Sequence, residues 1–246
     1  MRILIVDDET LAREFLIEQL AGIAGSQVVG QAANGFDAVK LAEELSPDLM
    51  LLDVQMPKLS GFEVLELLGP RAPAVIFVTA YDEFALRAFQ VHAVDYLLKP
   101  VEPARLADAV ARAQARSASA PAGPAPEALA ATARPPGRTL DRVLIRQDAR
   151  VHVIPVQQLD FIEAQDDYLS FATGGKRLRK QQTLTDIEGQ LDPARFVRIH
   201  RSFLLNVERL ARIEPYAKDS WLAILQDGTR LPLSRNGYQR LRELIG

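Results

Sequence analysis

Apolar and polar positions follow two different rhythms along this chain. Through residue 116, short apolar runs are separated by stretches in which apolar residues return every three or four positions. Residues 3–6, 28–32, 49–52, 75–78 and 96–98 read as strands, and 11–20, 35–45, 61–68, 83–90 and 103–115 as the helices between them. In the first helix Leu11, Phe15, Leu16 and Leu20 recur at helical spacing, as the buried stripe of a helix requires. Unbroken apolar strands alternating with helices predict a parallel sheet covered by helices on both faces.

After residue 137 the rhythm shortens. Residues 143–146, 150–155, 159–164, 168–172, 176–179, 211–216, 221–225 and 230–232 read as short strands, with turn signals at Thr173-Gly-Gly175 and Asp227-Gly228. Two stretches read as helical: 184–191, with Thr183 as its cap, and 237–244. This half is expected to be mostly β. Between the halves lies SASAPAGPAPEALAATARPPG, residues 117–137. Rich in Pro, Ala, Gly and Ser and nearly uncharged, it offers no face to bury and reads as a flexible linker.

A chain of 246 residues fits one large or two ordinary domains. The lack of cysteine excludes disulfides, thiolate metal sites and cysteine nucleophiles. No apolar run reaches membrane-spanning length, and the start, MRILIVDD, does not read as a signal peptide, so a cytoplasmic protein without a membrane partner is expected. The net charge of −3 hides a split. Residues 1–137 hold 11 Lys and Arg against 18 Asp and Glu, or −7, whereas residues 138–246 hold 18 against 14, or +4. A basic second half suggests a polyanionic partner.

Ligands of an open α/β sheet sit at the carboxyl ends of its strands. There the first half places Asp7 and Asp8 after the first strand, Asp53 after the third, Thr79 after the fourth and Lys99 after the fifth. Any one of these has a plain reading as a solvated loop residue; the combination is what signals chemistry. Three clustered carboxylates repel, and a divalent cation with all-oxygen ligands, Mg²⁺, relieves them. Acids, a metal, a hydroxyl and a lysine suit phosphoryl transfer to an aspartate nucleophile.

The segments ILIVDDE, LLDVQMPKLSG, FVTAYDEFALRAF and DYLLKP closely resemble the receiver domain of two-component response regulators. The resemblance implies a flavodoxin-like (βα)₅ fold over residues 1–116 and phosphorylation of Asp53 by a cognate sensor histidine kinase. It further implies Mg²⁺ held by Asp8, Asp53 and the backbone carbonyl of Gln55, with Asp7 acting through a metal-bound water. Lys99 and Thr79 would contact the phosphoryl group, and Thr79 and Tyr96 match the hydroxyl and aromatic that move together on activation. A homodimer through the fourth helix and fifth strand would read the switch, with Phe84, Leu86, Ala88 and Phe89 as its apolar supply. The bulky Tyr81 is placed to shield the phosphoryl group from water. Beyond self-phosphorylation from a phosphodonor and autodephosphorylation, no enzymatic activity is expected.

In the second half, basic residues cluster at 176–180, 198–202 and 234–240. Arginine suits bidentate contacts to phosphates and guanine edges, although an ordinary charged β surface would also look like this. The order FIEAQDDYLSF, RFVRIHRSFLLNVERLARIEPY and LPLSRNGYQRL resembles the LytTR DNA-binding domain, over residues 138–246. That implies a mostly β fold whose loops, in place of a recognition helix, enter double-stranded DNA at paired half-sites. The implied contacts are Arg201 and Arg235 first, Asp167 and Tyr168 from an earlier loop, then His200, Ser202, Asn236 and Lys180, with Asn206 shaping a turn. The expected protein is thus a transcription regulator of the LytTR (AlgR/LytR-like) class. A second half that binds protein or RNA is the main alternative. An enzymatic output domain lacks a nucleophile constellation, and a haloacid-dehalogenase-type phosphatase would want an acid where Gln55 stands.

Overall fold

The computed structural model describes residues 1–119, 139–147, 150–217 and 220–245, and the chain divides near residue 135 into two compact units. In the first, β1 (Arg2–Val6), β2 (Gln27–Ala32), β3 (Leu49–Leu52), β4 (Ala74–Thr79) and β5 (Asp95–Leu98) form a parallel sheet of order β2-β1-β3-β4-β5. Helices α1 (Thr10–Ala21), α2 (Gly35–Leu45), α3 (Gly61–Leu68), α4 (Ala85–Gln90) and α5 (Pro103–Ser119) each follow one strand. This is the expected flavodoxin-like (βα)₅ arrangement, and its switch point lies where the order turns between β1 and β3.

Side-chain alternation along the strands explains their unbroken apolar character. Ile3, Ile5, Leu49, Leu51, Ile76 and Val78 join Leu16, Leu20, Leu106 and Val110 in one core. The intervening Leu4, Val6, Met50, Leu52 and Phe77 are buried too, on the opposite face by the two-residue period of a strand. Each such side chain contributes about 1.5–3 kcal/mol over leaving it exposed. The starts of α2 and α3 are marked by side-chain caps. Asn34 accepts from the Asp37 amide at 3.0 Å, and Ser60 and Glu63 form a reciprocal capping box ahead of α3. Helix α4 is shorter than the 83–90 expected, beginning at Ala85. Helix α5 runs to Ser119, and the rest of the expected linker, residues 120–137, lies outside the described residues.

The second unit is mostly antiparallel β. Strands β6 (Arg142–Gln147) and β7 (Arg150–Pro155) form a two-stranded ladder. A five-stranded sheet runs β10-β9-β8-β12-β11, from β8 (Phe161–Gln165), β9 (Tyr168–Thr173), β10 (Lys176–Lys180), β11 (Phe196–His200) and β12 (Phe203–Asn206). A three-stranded sheet holds β13 (Leu210–Ala217), β14 (Ser220–Leu225) and β15 (Arg230–Leu233). Helix α6 spans Leu184–Glu188 and α7 Arg235–Ile245.

The five-stranded sheet is sandwiched. Ile162, Phe171, Phe196 and Leu204 pack on one side with Val143, Ile154 and the α6 residues Leu184 and Ile187. Phe161, Ala172, Val197 and Leu205 pack on the other with Ala223, Leu231 and Leu241. Strands β11 and β12 were not expected, and this burial is the reason: FVRIH and FLLN carry apolar residues on both faces and show no alternation. Strand β8 starts at Phe161, two residues late, because residues 156–158 form a 3₁₀ turn. Helix α6 ends at Glu188, short of 191, ahead of Gly189. Its cap is the expected one, with Thr183 accepting from the Asp186 amide at 3.1 Å.

Candidate functional site

Backbone pairing at the carboxyl edge of the parallel sheet gathers the first set of residues. The Asp53 amide donates to the Val6 carbonyl (2.9 Å) and the Lys99 amide to the Thr79 carbonyl (2.8 Å), so strand ends meet in register. Lys99 Nζ stands 2.7 Å from Asp7 Oδ2 and 2.9 Å from Asp53 Oδ2. Asp53 Oδ1 accepts from the Gln55 amide at 3.2 Å, and Asp7 Oδ1 from the Glu9 amide at 3.0 Å. Asp7, Asp8 and Asp53 each offer a carboxylate oxygen, all within 4.8 Å of one another. A cleft of about 340 Å³ opens beside them, lined by Asp8, Glu9, Asp53, Gln55, Met56, Pro57, Ala80, Tyr81 and Lys99. Gly61 is indispensable to this geometry, since a Cβ there would lie 2.3 Å from the Asp53 carbonyl oxygen.

The electrostatics match a buried anionic cluster short of positive charge. Burial raises the Asp7 carboxyl above its ordinary value, against the pull of Lys99. Burial acts to lower Lys99, but its hydrogen bonds to Asp7 and Asp53 prevail and hold it above the usual lysine value. The Thr79 hydroxyl is fully buried (0 % exposed) with no hydrogen-bond partner among the described residues. A buried unpaired hydroxyl costs about 1–3 kcal/mol, and an arriving oxygen ligand would relieve it. The all-oxygen donor set fits Mg²⁺.

Tyr96 stands apart from the carboxylates. Its hydroxyl donates to the Tyr81 carbonyl, in the loop after β4, and its ring lies 6.2 Å from Phe77. Burial, then the charges of Asp53, Asp82 and Glu83, push its phenol up to about 12. On α4, Leu86 and Phe89 are 83 % and 82 % exposed, and Leu98 of β5 is exposed as well. Ala88 is buried, and the Phe84 ring lies 6.2 Å from Phe62, so the apolar outer surface belongs to Leu86 and Phe89.

In the second unit one end of the five-stranded sheet collects the basic candidates. Tyr168 opens β9 opposite Gln165, Lys180 closes β10 opposite Leu169, and the Ala164 amide donates to the Ser202 carbonyl at 2.8 Å. The turns carrying Asp167 and Tyr168, Lys180, and His200, Arg201 and Ser202 therefore lie at the same end. The amino end of α7 joins them. The Ser234 amide and hydroxyl both donate to the Ile199 carbonyl, at 2.9 and 3.0 Å, and Ser234 Oγ caps the Gly237 amide at 3.1 Å. A Cβ on Gly237 would meet the Ile199 carbonyl oxygen at 2.0 Å. A cleft of about 500 Å³ results, lined by Glu188, Arg198, His200, Arg201, Ser234, Asn236, Gly237 and Arg240. Arg235 opens α7 next to this wall.

Within the β11–β12 loop, His200 Nδ1 accepts from the Ser202 amide at 3.2 Å. Burial, then the charge of Arg201, lower the imidazole below its ordinary value. Asn206 is buried and shapes a turn as expected, donating to the Leu159 carbonyl (2.7 Å) and accepting from the Glu208 amide (3.1 Å). The sequence reading overlooked Glu9 and Glu188 and took Arg240 only as part of a basic cluster. Glu9 reaches Lys99 only at 4.0 Å. Arg240 was legible in principle, because it stands four residues after Asn236 and so shares its helix face.

Residues 3–111 match the model of the response regulator receiver domain, and residues 149–246 that of the LytTr DNA-binding domain. An uncharacterized response regulatory protein of Vibrio cholerae is 34 % identical over 244 residues, covering 99 % of this chain and 98 % of that protein. The transcriptional regulatory protein BtsR of Escherichia coli K12 is 32 % identical over 248 residues, covering 100 % and 99 %. The sensory transduction protein LytT of Enterococcus faecalis is 31 % identical over 251 residues, again covering 100 % and 99 %.

Proposed function

The chain belongs to the response regulators that join a receiver domain to a LytTR DNA-binding domain, and from that premise we propose a phosphorylation-controlled transcription regulator of a two-component system, with Asp53 as phosphoacceptor. Its receiver ends with α5 at Ser119, past the 116 expected, and its DNA-binding domain spans residues 138–246. No described helix is long and apolar enough to cross a membrane, and the protein acts in the cytoplasm.

The observation that carries the receiver reading is the buried, unpartnered Thr79 hydroxyl at the strand edge where Asp7, Asp53 and Lys99 converge. A carboxylate oxygen of Asp53 attacks the phosphorus of a phosphohistidine on the partner kinase. A P–O bond forms, the P–N bond breaks, and its electron pair stays on the imidazole. Asp8, Asp53 and the Gln55 carbonyl would hold Mg²⁺, with Asp7 acting through a water, and the chemistry such an ion would supply is partial neutralisation of the negative charge gathered there. Lys99 neutralises a phosphoryl oxygen and Thr79 donates to one. The phosphoryl group, which carries a charge of about −2 where the Asp53 carboxylate carried about −1, draws Thr79 inward. Tyr96, tied to the loop that follows Thr79, moves with it. The exposed Leu86 and Phe89 then seat a second copy across the α4 and β5 face.

At the other end Arg201 and Arg235 read base edges, while Asp167, Tyr168, His200, Ser202, Asn236 and Lys180 position the duplex. Dimerisation raises affinity for paired half-sites through effective concentration. The test selects bound sequences from random duplexes with and without a small phosphodonor. Enrichment of a repeated half-site, strengthened by phosphodonor and weakened steeply by salt, is expected. Enrichment of no duplex sequence would overturn the DNA reading.

A further inference from the structure

Arg198 sits in one of the basic stretches of the DNA-binding unit, near His200 and Arg201, and by composition belongs among the DNA contacts. Its hydrogen bonds point elsewhere. Nη1 donates to Glu188 Oε2 at 3.0 Å and to Thr185 Oγ1 at 3.4 Å, and Nη2 donates to the backbone carbonyl of Arg201 at 3.1 Å. The side chain is only 27 % exposed. Glu188 closes α6, whose Leu184 and Ile187 are anchored in the core, so the far end of this contact is rigid.

The loop it reaches is otherwise held by main chain, by the Ser234 hydroxyl and by the His200 ring, whose Nδ1 accepts from the Ser202 amide. The Ile199 carbonyl receives the Ser234 amide and hydroxyl, and the Ser202 carbonyl receives the Ala164 amide. The Arg201 carbonyl, between them, is held by Arg198. Arg201 has an exposed side chain, so the loop presents it outward on a backbone fixed from three sides. Holding a binding loop in its bound conformation lowers the ordering cost of association.

We infer that Arg198 is a positioning residue, a strut between Glu188 and the Arg201 carbonyl that sets the angle at which Arg201 meets DNA, and that it touches no phosphate itself. This rests on the DNA-binding reading above and adds a division of labour among its arginines. A planar guanidinium can bridge a carboxylate and a carbonyl at once; a lysine ammonium lacks that rigid fork.

The test measures the full chain binding its selected duplex across a range of salt concentrations, for wild type, Arg198→Ala, Arg198→Lys and Glu188→Gln. A hydrogen bond to a charged group supplies the scale, so Arg198→Ala is expected to lose roughly tenfold or more in specific affinity. Its salt slope should match wild type, because a lost phosphate contact would lower the slope by about one. Arg198→Lys, which keeps the charge, is expected not to rescue, and Glu188→Gln to weaken binding as well. Arg201→Ala should cost much less on the Arg198→Ala background than in wild type. A reduced slope in Arg198→Ala, full affinity in Arg198→Lys, or tighter binding by Glu188→Gln would each overturn the strut, the last by making Glu188 a brake on a DNA-contacting arginine. Melting curves identify a variant that fails to fold, in which case Arg198→Lys and Glu188→Gln decide. Wild type that prefers no duplex would remove the DNA reading and the strut with it.

Discussion

The receiver pocket and the basic end of the second unit are built on opposite plans. In the pocket most of the chemical groups are themselves buried, Asp8 being exposed. Asp7, Asp53 and Thr79 lie inside the protein edge and Lys99 is mostly covered, so each perturbs the next. At the basic end Arg201 is exposed, and what is fixed is its support: the Ile199 carbonyl bonded by Ser234, the buried Asn206 bonded to the Leu159 carbonyl, and the half-buried Glu188 against Arg198. The first plan makes function depend on which charges are present. The second makes it depend on where a backbone lies. Substitutions should therefore act through charge in one and through position in the other.

The largest effect expected is in the pocket. Asp53→Asn keeps the size of the side chain but removes the nucleophilic carboxylate, and incorporation of phosphate from a small phosphodonor should disappear. Labelling of the variant at the wild-type level would defeat the assignment of Asp53. No single change at the basic end should be as complete, because its contacts are spread over two turns and a helix start.

Each plan also has a glycine pressed against the carbonyl that matters. Gly61 begins α3 over the Asp53 carbonyl, and Gly237 lies in the first turn of α7 over the Ile199 carbonyl. Backbone cannot retreat as a flexible side chain can, so alanine at either position should cost about 1–3 kcal/mol, as overpacking does. Thermal unfolding of the two variants checks this. The functional consequences should separate: Gly61→Ala should impair phosphorylation while leaving DNA binding by unphosphorylated protein unchanged, and Gly237→Ala the reverse.

The same contrast governs how much could be read from the sequence. The receiver was legible almost throughout, because a parallel sheet buried on both faces turns its strands into apolar runs and delivers its acids at their ends. Asp7, Asp53, Thr79 and Lys99 could each be placed from that rule alone, and the structure brings their strand ends together. In the second unit the other strands were legible, but β11 and β12 were not. They lie inside a sandwich, and FVRIH also carries two basic residues. Arg198 was misleading for a related reason. A charged residue whose partners are a distant glutamate and a main-chain carbonyl looks, in sequence, like one that faces solvent. Glu188 had no signal of its own, since its importance comes from tertiary contact.

A medium effect should mark the exposed Arg201 of the second site. Arg201→Ala is expected to weaken specific DNA binding by about 1–3 kcal/mol and to relax preference at one base position. Binding measured against the selected duplex and against single-base variants checks this. An equal loss on every sequence would reassign Arg201 to a phosphate, leaving Arg235 as the reader.

The smallest effect concerns His200, where charge and position meet. Its imidazole is held below its ordinary value by burial and by the neighbouring Arg201, and its Nδ1 accepts the Ser202 amide, which requires a neutral ring nitrogen. The unfolded chain therefore takes up this proton at a higher pH than the folded one. The stability this group contributes is full above the unfolded value of about 6.5 and declines as pH falls from there through the lowered folded value. Asparagine can accept the same amide without titrating, so His200→Asn should flatten this part of the stability profile below about pH 6.5 while leaving it unchanged near pH 8. Melting temperatures of both proteins across that range make the comparison. An identical decline in the variant would show that the acid sensitivity of the unit arises elsewhere and that the loop does not depend on a neutral His200.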